Sequence, residues 1–217
     1  MTTLNSDRVA GALNRMYTAA DEQLAILREG GRFANLANAS AQERADALGD
    51  IYMPVTREAG RLLYSLVRAT RPTVVVEFGM SFGLSALHLA SAVRDNGVGR
   101  VFTTELSAAK IAAAKQTFAE TGLDDVITVL EGDALETLKT VDGEIGVVLL
   151  DGWKELYLPV LKLLEPQLAT GALLIADNTS MADTQPYLDH VREPANGYVS
   201  VNFLARDSDS MELSCRT

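Results

Sequence analysis

Between Thr73 and Asp177 short apolar runs alternate with longer stretches in which apolar residues return every three or four positions. The runs Val74–Glu77, Arg100–Glu105, Ile127–Glu131, Ile145–Asp151 and Ala172–Asp177 are too short for helices and rich in β-branched residues, so they predict five strands. Strands that alternate with helices predict a parallel sheet covered on both faces, with right-handed crossovers. Local punctuation agrees. A helix is expected over Leu84–Val93, Ser107 is placed to cap the Ala-rich helix that Gly122 ends, and Gly171 is expected to turn a Leu161–Leu168 helix into the fifth strand. Beyond His190 the period becomes two: Val199, Val201 and Phe203 share one face, with Met211, Leu213 and Cys215 across a polar turn at Arg206–Ser210. That pattern predicts an antiparallel C-terminal hairpin and brings the count to seven strands in a doubly wound α/β fold.

Upstream, the spacing of Val9, Leu13, Met16 and Tyr17, then Leu24 and Leu27, is helical from Asp7 to about Ala47, with Gly30-Gly31 as a stop. A further helix carrying Leu62, Leu63, Leu66 and Val67 follows Pro54 and ends at Arg71-Pro72. Residues 1–49 therefore form an expected helical extension, and residues 50–217 the sheet domain. The apolar stripe of the extension suits a cap over the sheet domain or a homodimer contact.

Composition narrows the partners. The 217 residues are 47% hydrophobic, enough for one substantial core. A net charge of −10 argues against nucleic acid and anionic membranes as partners and favours small molecules. The single cysteine, Cys215, excludes an internal disulfide and a thiolate cage, and fits a reducing compartment. The opening residues lack a basic-then-apolar leader, and no run reaches the ~20 apolar residues of a membrane span, so a cytoplasmic location is expected.

Chemistry gathers at the predicted strand ends. Glu77-Phe78-Gly79-Met80-Ser81-Phe82-Gly83 joins the first strand to its helix. Gly79 suits a sharp turn, and Gly83 suits a close approach of backbone to ligand. Serine at 81 and the lack of a third glycine disfavour a dinucleotide pyrophosphate. Glu105 ends the second strand, where a carboxylate can accept from two ribose hydroxyls, and Asp133-Ala134 follows the third at the level of an adenine edge. A ribose-and-adenine ligand without phosphates fits, and S-adenosylmethionine is such a ligand. Asp151-Gly152-Trp153-Lys154 and Asp177-Asn178 follow the fourth and fifth strands. They bring hard oxygen donors and one amine to the same rim, a pattern of a divalent cation with a base beside it. His88 and His190 have no partners at ligand spacing, which disfavours zinc and a histidine triad.

The segments VVVEFGMSFGLSALHLA, DGWKELYLPVLKLLEPQLATGALLIADN and DSDSMEL resemble, in order and spacing, the Mg²⁺-dependent catechol O-methyltransferases, Rossmann-like class I enzymes that use S-adenosylmethionine. The resemblance spans about Asp50 to Thr217. It implies Asp151, Asp177 and Asn178 as ligands of Mg²⁺ or another hard ion such as Mn²⁺ or Ca²⁺, and Lys154 as general base. It also implies that Asp151, Lys154, Asn178 and Glu212 hold the phenolic substrate, with Glu212 orienting its second hydroxyl. Val55, Glu77, Gly79, Ser81, Gly83, Ser85, Glu105, Leu106, Asp133, Ala134, Asp151 and Trp153 fall at cofactor positions, Trp153 against adenine or the aryl group. Two departures bear on the acceptor pocket: Gly152 replaces a histidine of the animal enzyme, and Ile51 stands at an aromatic gate position.

The expected activity is transfer of a methyl group to a hydroxyl of a vicinal diphenol. Alternatives are a caffeoyl-CoA-type enzyme, against which the lack of a basic cluster argues, and a non-catalytic S-adenosylmethionine-binding protein, which has no use for Lys154 or the three oxygen donors.

Overall fold

The structure, a computed structural model, describes residues 1–30, 36, 39–206 and 208–217. The expected stop at Gly31 and the Asp207 of the closing DSDSMEL segment lie outside the described residues, as do the side chains of Leu24 and Leu27.

Seven strands form one sheet: β1 (Val74–Phe78), β2 (Arg100–Glu105), β3 (Ile127–Glu131), β4 (Ile145–Leu150), β5 (Leu168–Ala176), β6 (Tyr198–Arg206) and β7 (Asp209–Arg216). Their order is β3-β2-β1-β4-β5-β7-β6. The first five run parallel, while β7 pairs antiparallel with both β5 and β6. Strand order therefore reverses between β1 and β4, and ligands of open α/β sheets bind at the carboxyl edge of such a switch point.

Helices α1 (Asp7–Gly30), α2 (Ala41–Ala47), α3 (Arg57–Thr70), α4 (Leu84–Asn96), α5 (Ala108–Thr121), α6 (Ala134–Thr137), α7 (Tyr157–Leu164) and α8 (Gln185–Arg192) complete the chain. The strand period of two sorts the core into two layers. In β4, Val147 and Leu149 pack with Val9, Met16, Leu63 and Leu87 on one face. Val148 and Leu150 pack with Tyr157, Val160 and Leu164 on the other. The N-terminal helix α1 thus shares a core layer with the sheet. Among the described residues, no helix is long and apolar enough to cross a membrane.

Helix boundaries follow their caps. Ser107 accepts from Lys110 N at the start of α5, and Gly122 closes that helix in the left-handed region. Ser40 and Glu43 form a reciprocal capping box on α2, and Thr56 Oγ1 accepts from Ala59 N on α3. The Leu161–Leu168 expectation is corrected: α7 ends at Leu164, and a 3₁₀ turn holding Pro166 leads to a strand that already begins at Leu168. Gly171 lies inside β5, where the register against β4 shifts between the Leu168 and Leu173 pairings. Val199 and Val201 of the edge strand β6 are exposed, on a face of the sheet left open to solvent there.

Candidate functional site

The carboxyl edge of β1, β2 and β4 is built around an interlock of two glycines. Gly79 adopts φ +99°, and a Cβ there would lie 2.6 Å from the Gly152 backbone; a Cβ on Gly152 would meet the Phe78 ring at 2.6 Å. Absent side chains let the loops after β1 and β4 touch, which fixes Asp151 beside the turn. Asp151 N donates to Phe78 O at 2.8 Å.

Glu105 organises the next loop. Its Oε2 accepts from Ser81 N at 2.8 Å, and its Oε1 accepts from Leu106 N and Ser107 N, each at 2.8 Å. Ser81 is held at φ +49°, a conformation uncommon outside glycine. The carboxylate thereby clamps the turn over β1 to the end of β2, and each oxygen keeps acceptor capacity for a ligand. Asp133 caps α6 through Leu135 N at 2.9 Å.

Asp151 and Asp177 end on neighbouring strands, and Asn178 follows at φ +56°, a left-handed conformation that asparagine tolerates. Burial, opposed by Lys154 and reinforced by Asp177, raises the Asp151 pKa to about 7. Lys154 Nζ donates to Asp151 Oδ1 at 3.2 Å and to Tyr157 Oη at 2.8 Å. Tyr157 in turn donates to the Asp177 carbonyl at 2.9 Å. Because that carbonyl can only accept, the phenol proton is committed to it, and Lys154 must be the donor to Tyr157.

Asn178 Nδ2 donates to Asp209 Oδ2 at 2.6 Å, and Arg206 donates to Asp177 Oδ2 at 3.2 Å. An ionised carboxylate only accepts, so Asp209 fixes the amide with Nδ2 toward itself and frees Asn178 Oδ1 for another partner. The donor set of two carboxylates and one amide oxygen fits a hard divalent cation. Among the described residues no three His, Cys, Asp or Glu side chains form a cluster able to hold a metal, so the amide oxygen is needed to complete the set.

A cavity of about 1180 Å³ brings these residues together: Val55, Gly79, Ser81, Glu105, Leu106, Asp133, Ala134, Asp151, Trp153, Lys154, Asp177 and Asn178 all line it. Ile51 also lines it, and Ser85 borders a small adjoining recess beside Gly79. Three expected residues stand elsewhere. Gly83 starts α4 with the Phe118 ring 2.6 Å from where its Cβ would sit, so close packing against α5 requires the glycine. Glu77 is fully buried beneath the loop, accepts from Thr103 Oγ1, and has its pKa raised to about 7 by burial. Glu212 is buried in a two-pronged ion pair with Arg192, at 2.8 and 2.7 Å, and also accepts from Asn202. Its pairing with Ala176 in the sheet and its ion pair with Arg192 of α8 set it apart from the cavity lining that Asp151, Lys154 and Asn178 share.

Sequence reasoning missed Tyr157, Arg206 and Asp209, and also Lys110, a buried cation of the cavity wall next to the Phe82 ring. The only available signal for Tyr157 was its offset of three from Lys154, which places both on one helical face.

Fold and site together define a class: an open α/β sheet with a backbone-clamping carboxylate at the end of β2 and an Asp/Lys/Asn rim after β4 and β5, as in class I S-adenosylmethionine-dependent methyltransferases. The family described as a methyltransferase domain matches residues 76–179. Catechol O-methyltransferase of Sus scrofa is 36% identical over 148 residues, covering 64% of this chain and 78% of that protein. Catechol O-methyltransferase B of Danio rerio is 30% identical over 174 residues, and the Mus musculus enzyme 33% over 148. The chain spans less than two thirds of the length of these two relatives, 65% and 55%, and 75% and 64% of this chain is covered. Among solved structures, an O-methyltransferase from Bacillus cereus in complex with SAH has a TM-score of 0.67 at 19% identity, covering 85% of this chain and 94% of that one. TomG from Streptomyces achromogenes, in complex with SAM, has a TM-score of 0.68 at 20% identity, with 85% and 93% covered; both likenesses concern the fold. The chain belongs to the catechol O-methyltransferase-like family of class I S-adenosylmethionine-dependent O-methyltransferases.

Proposed function

We propose that this chain moves the methyl group of S-adenosylmethionine to a hydroxyl of a catechol-like vicinal diphenol with the help of a hard divalent cation. The observation that carries the reading is the convergence of Asp151, Lys154, Asp177 and Asn178 on one wall of the cavity that Glu105 enters from the other side. In this reading Glu105 receives the ribose hydroxyls, Gly79 and Ser81 receive the amino-acid end, and Asp133 with Ala134 borders the adenine. Asp151, Asp177 and Asn178 Oδ1 hold the cation. When bound, Mg²⁺ supplies Lewis acidity that makes a phenolic hydroxyl easier to deprotonate.

Lys154 holds the proton-accepting position. A neutral amine has two N–H bonds and one lone pair, and Asp151 Oδ1 and Tyr157 Oη account for the two N–H bonds. The lone pair is then left for the substrate hydroxyl, and Tyr157 keeps it aimed by anchoring itself on the Asp177 carbonyl. S-Adenosylmethionine held by Glu105, Gly79 and Ser81 would supply the electrophilic methyl group to the deprotonated substrate oxygen and would leave as S-adenosylhomocysteine. Beyond taking the proton, the protein's part is to fix the two reactants at contact distance and keep water out.

Incubation of a panel of diphenols with labelled S-adenosylmethionine, with and without Mg²⁺, tests this reading. Monomethylated vicinal diphenols are expected with Mg²⁺, and loss of product with a chelator. Full activity in chelator removes the cation from the reaction, and transfer to simple phenols alone removes the diphenol class.

A further inference from the structure

The cation site carries its own competitor. We propose that Arg206 is a resident counter-ion: its guanidinium neutralises Asp177 while no divalent cation is bound and competes with that cation for the carboxylate. The inference rests on the cation reading above and extends it to a residue of the β6–β7 hairpin.

Asp177 has a side chain only 2% exposed, and a buried carboxylate without a compensating charge is costly. Arg206 supplies that charge from the end of β6, with Nη2 3.2 Å from Asp177 Oδ2 and 3.3 Å from the Pro54 carbonyl. The contact is longer than the roughly 2.7–2.9 Å of a tight charge-assisted pair, and the arginine side chain is 39% exposed. A loose, half-exposed pair of this kind is weak and can open without disturbing the core. Asp177 is also the carboxylate that the donor set requires. One oxygen pointed at a guanidinium is therefore one oxygen withheld from the ion.

The other side of the same hairpin acts in the opposite sense. Asp209 opens β7, accepts from Asn178 Nδ2 at 2.6 Å and from Ser180 N at 3.4 Å, and frees the Asn178 carbonyl oxygen for a cation. Each end of the turn thus engages one residue of the donor set: Arg206 occupies Asp177, and Asp209 aims Asn178. By linkage, any factor by which the guanidinium weakens cation binding equals the factor by which the cation weakens the ion pair.

Mn²⁺ binding to the full chain, followed by electron paramagnetic resonance, tests the competition in wild type, R206Q and R206K, with thermal melts of each in the presence and absence of Mn²⁺. Removal of one charge from a weak, partly exposed pair is expected to tighten Mn²⁺ binding by about two- to fivefold in R206Q. R206K, which keeps the charge on a different geometry, is expected to fall between R206Q and wild type. Without metal R206Q should melt below wild type, and Mn²⁺ should raise its melting temperature more than it raises that of wild type. Equal Mn²⁺ affinity in all three proteins, or weaker binding in both variants, overturns the competition while leaving the cation site standing. Absence of Mn²⁺ binding in wild type and both variants overturns the cation reading itself, and this inference with it.

Discussion

Lys154 and Glu105 serve different halves of the proposed reaction, so their variants should fail differently. Lys154→Ala removes the proton acceptor but leaves the ribose clamp intact. Its kcat is expected to fall about 10²- to 10⁴-fold, the usual worth of a positioned general base, while S-adenosylhomocysteine titrated by calorimetry binds as it does to wild type. A parallel loss of binding would mean that Lys154 supports the pocket instead of the chemistry. Glu105→Ala releases three backbone N–H groups together with the two ribose hydroxyls, so cofactor affinity should drop by tenfold or more, at ~1.5–3 kcal/mol for a charged hydrogen bond. Unchanged calorimetric affinity would dismiss the clamp. The place of both residues at the sheet rim was legible in the sequence, because Glu105 closes the buried strand β2 and Lys154 follows the buried strand β4 by four residues. Arg206 and Asp209 were not, because they reach Asp177 and Asn178 only through the pairing of β7 with β5, a contact between distant parts of the chain. The ion pair of Glu212 was hidden for the same reason: an acid in a recognisable segment says nothing about which side of its strand faces Arg192.

The elements themselves were written locally. β2 and β3 run over the spans their apolar residues predicted, and Ser107 and Gly122 bound α5. The error at Leu161–Leu168 arose because Leu161, Leu164 and Leu168 keep helical spacing across Glu165-Pro166-Gln167, so apolar spacing alone could not mark the change from helix to strand. Two element-level predictions follow from contacts between segments. Gly79→Ala meets the Gly152 backbone at a positive φ, whereas Gly152→Ala meets only the movable Phe78 ring. Gly79→Ala should therefore lower the melting temperature more; the reverse order would show that Phe78 cannot yield. Inside the α3–α4 contact, His88 is buried against Gly60, and neither ring nitrogen has a hydrogen-bond partner among the described residues. Burial, with Arg61 and Arg57 adding to it, lowers its pKa from 6.5 to about 4. A depressed histidine pKa means that the unfolded chain takes up the proton first. Stability is therefore lost as pH falls from 6.5 towards 4, by up to about 3 kcal/mol. His88→Leu removes that titration, so the melting-temperature difference, wild type minus variant, should become smaller or more negative between pH 7 and pH 4. A constant difference would show that the imidazole is already solvated.

At the scale of the whole molecule, the N-terminal helices do more than pad the sheet. Gln23 of α1 donates to the Asp50 carbonyl at 2.6 Å and accepts from Tyr52 N at 2.8 Å, which ties the segment entering the cavity wall. Ser40, Ala41, Gln42, Ala45 and Leu48, in and around α2, line the cavity from above. Arg44 of α2 reaches the loop that carries Asp151 and Lys154: it lies 4.2 Å from the Trp153 ring centroid and pairs with Glu155. A cation over an indole is worth about 0.5–2 kcal/mol according to its exposure, so this clasp can hold the roof without locking it. Closing a site this way excludes water during transfer and delays product release afterwards. Arg44→Ala is accordingly expected to speed dissociation of S-adenosylhomocysteine severalfold in a stopped-flow chase. The single-turnover rate with saturating substrates should stay near that of wild type, because Asp151, Lys154 and Tyr157 keep their mutual hydrogen bonds. A slowed single turnover with unchanged dissociation would instead make Arg44 a support of the β4 loop, acting through Trp153 on Lys154, and the roof would then be a fixed wall.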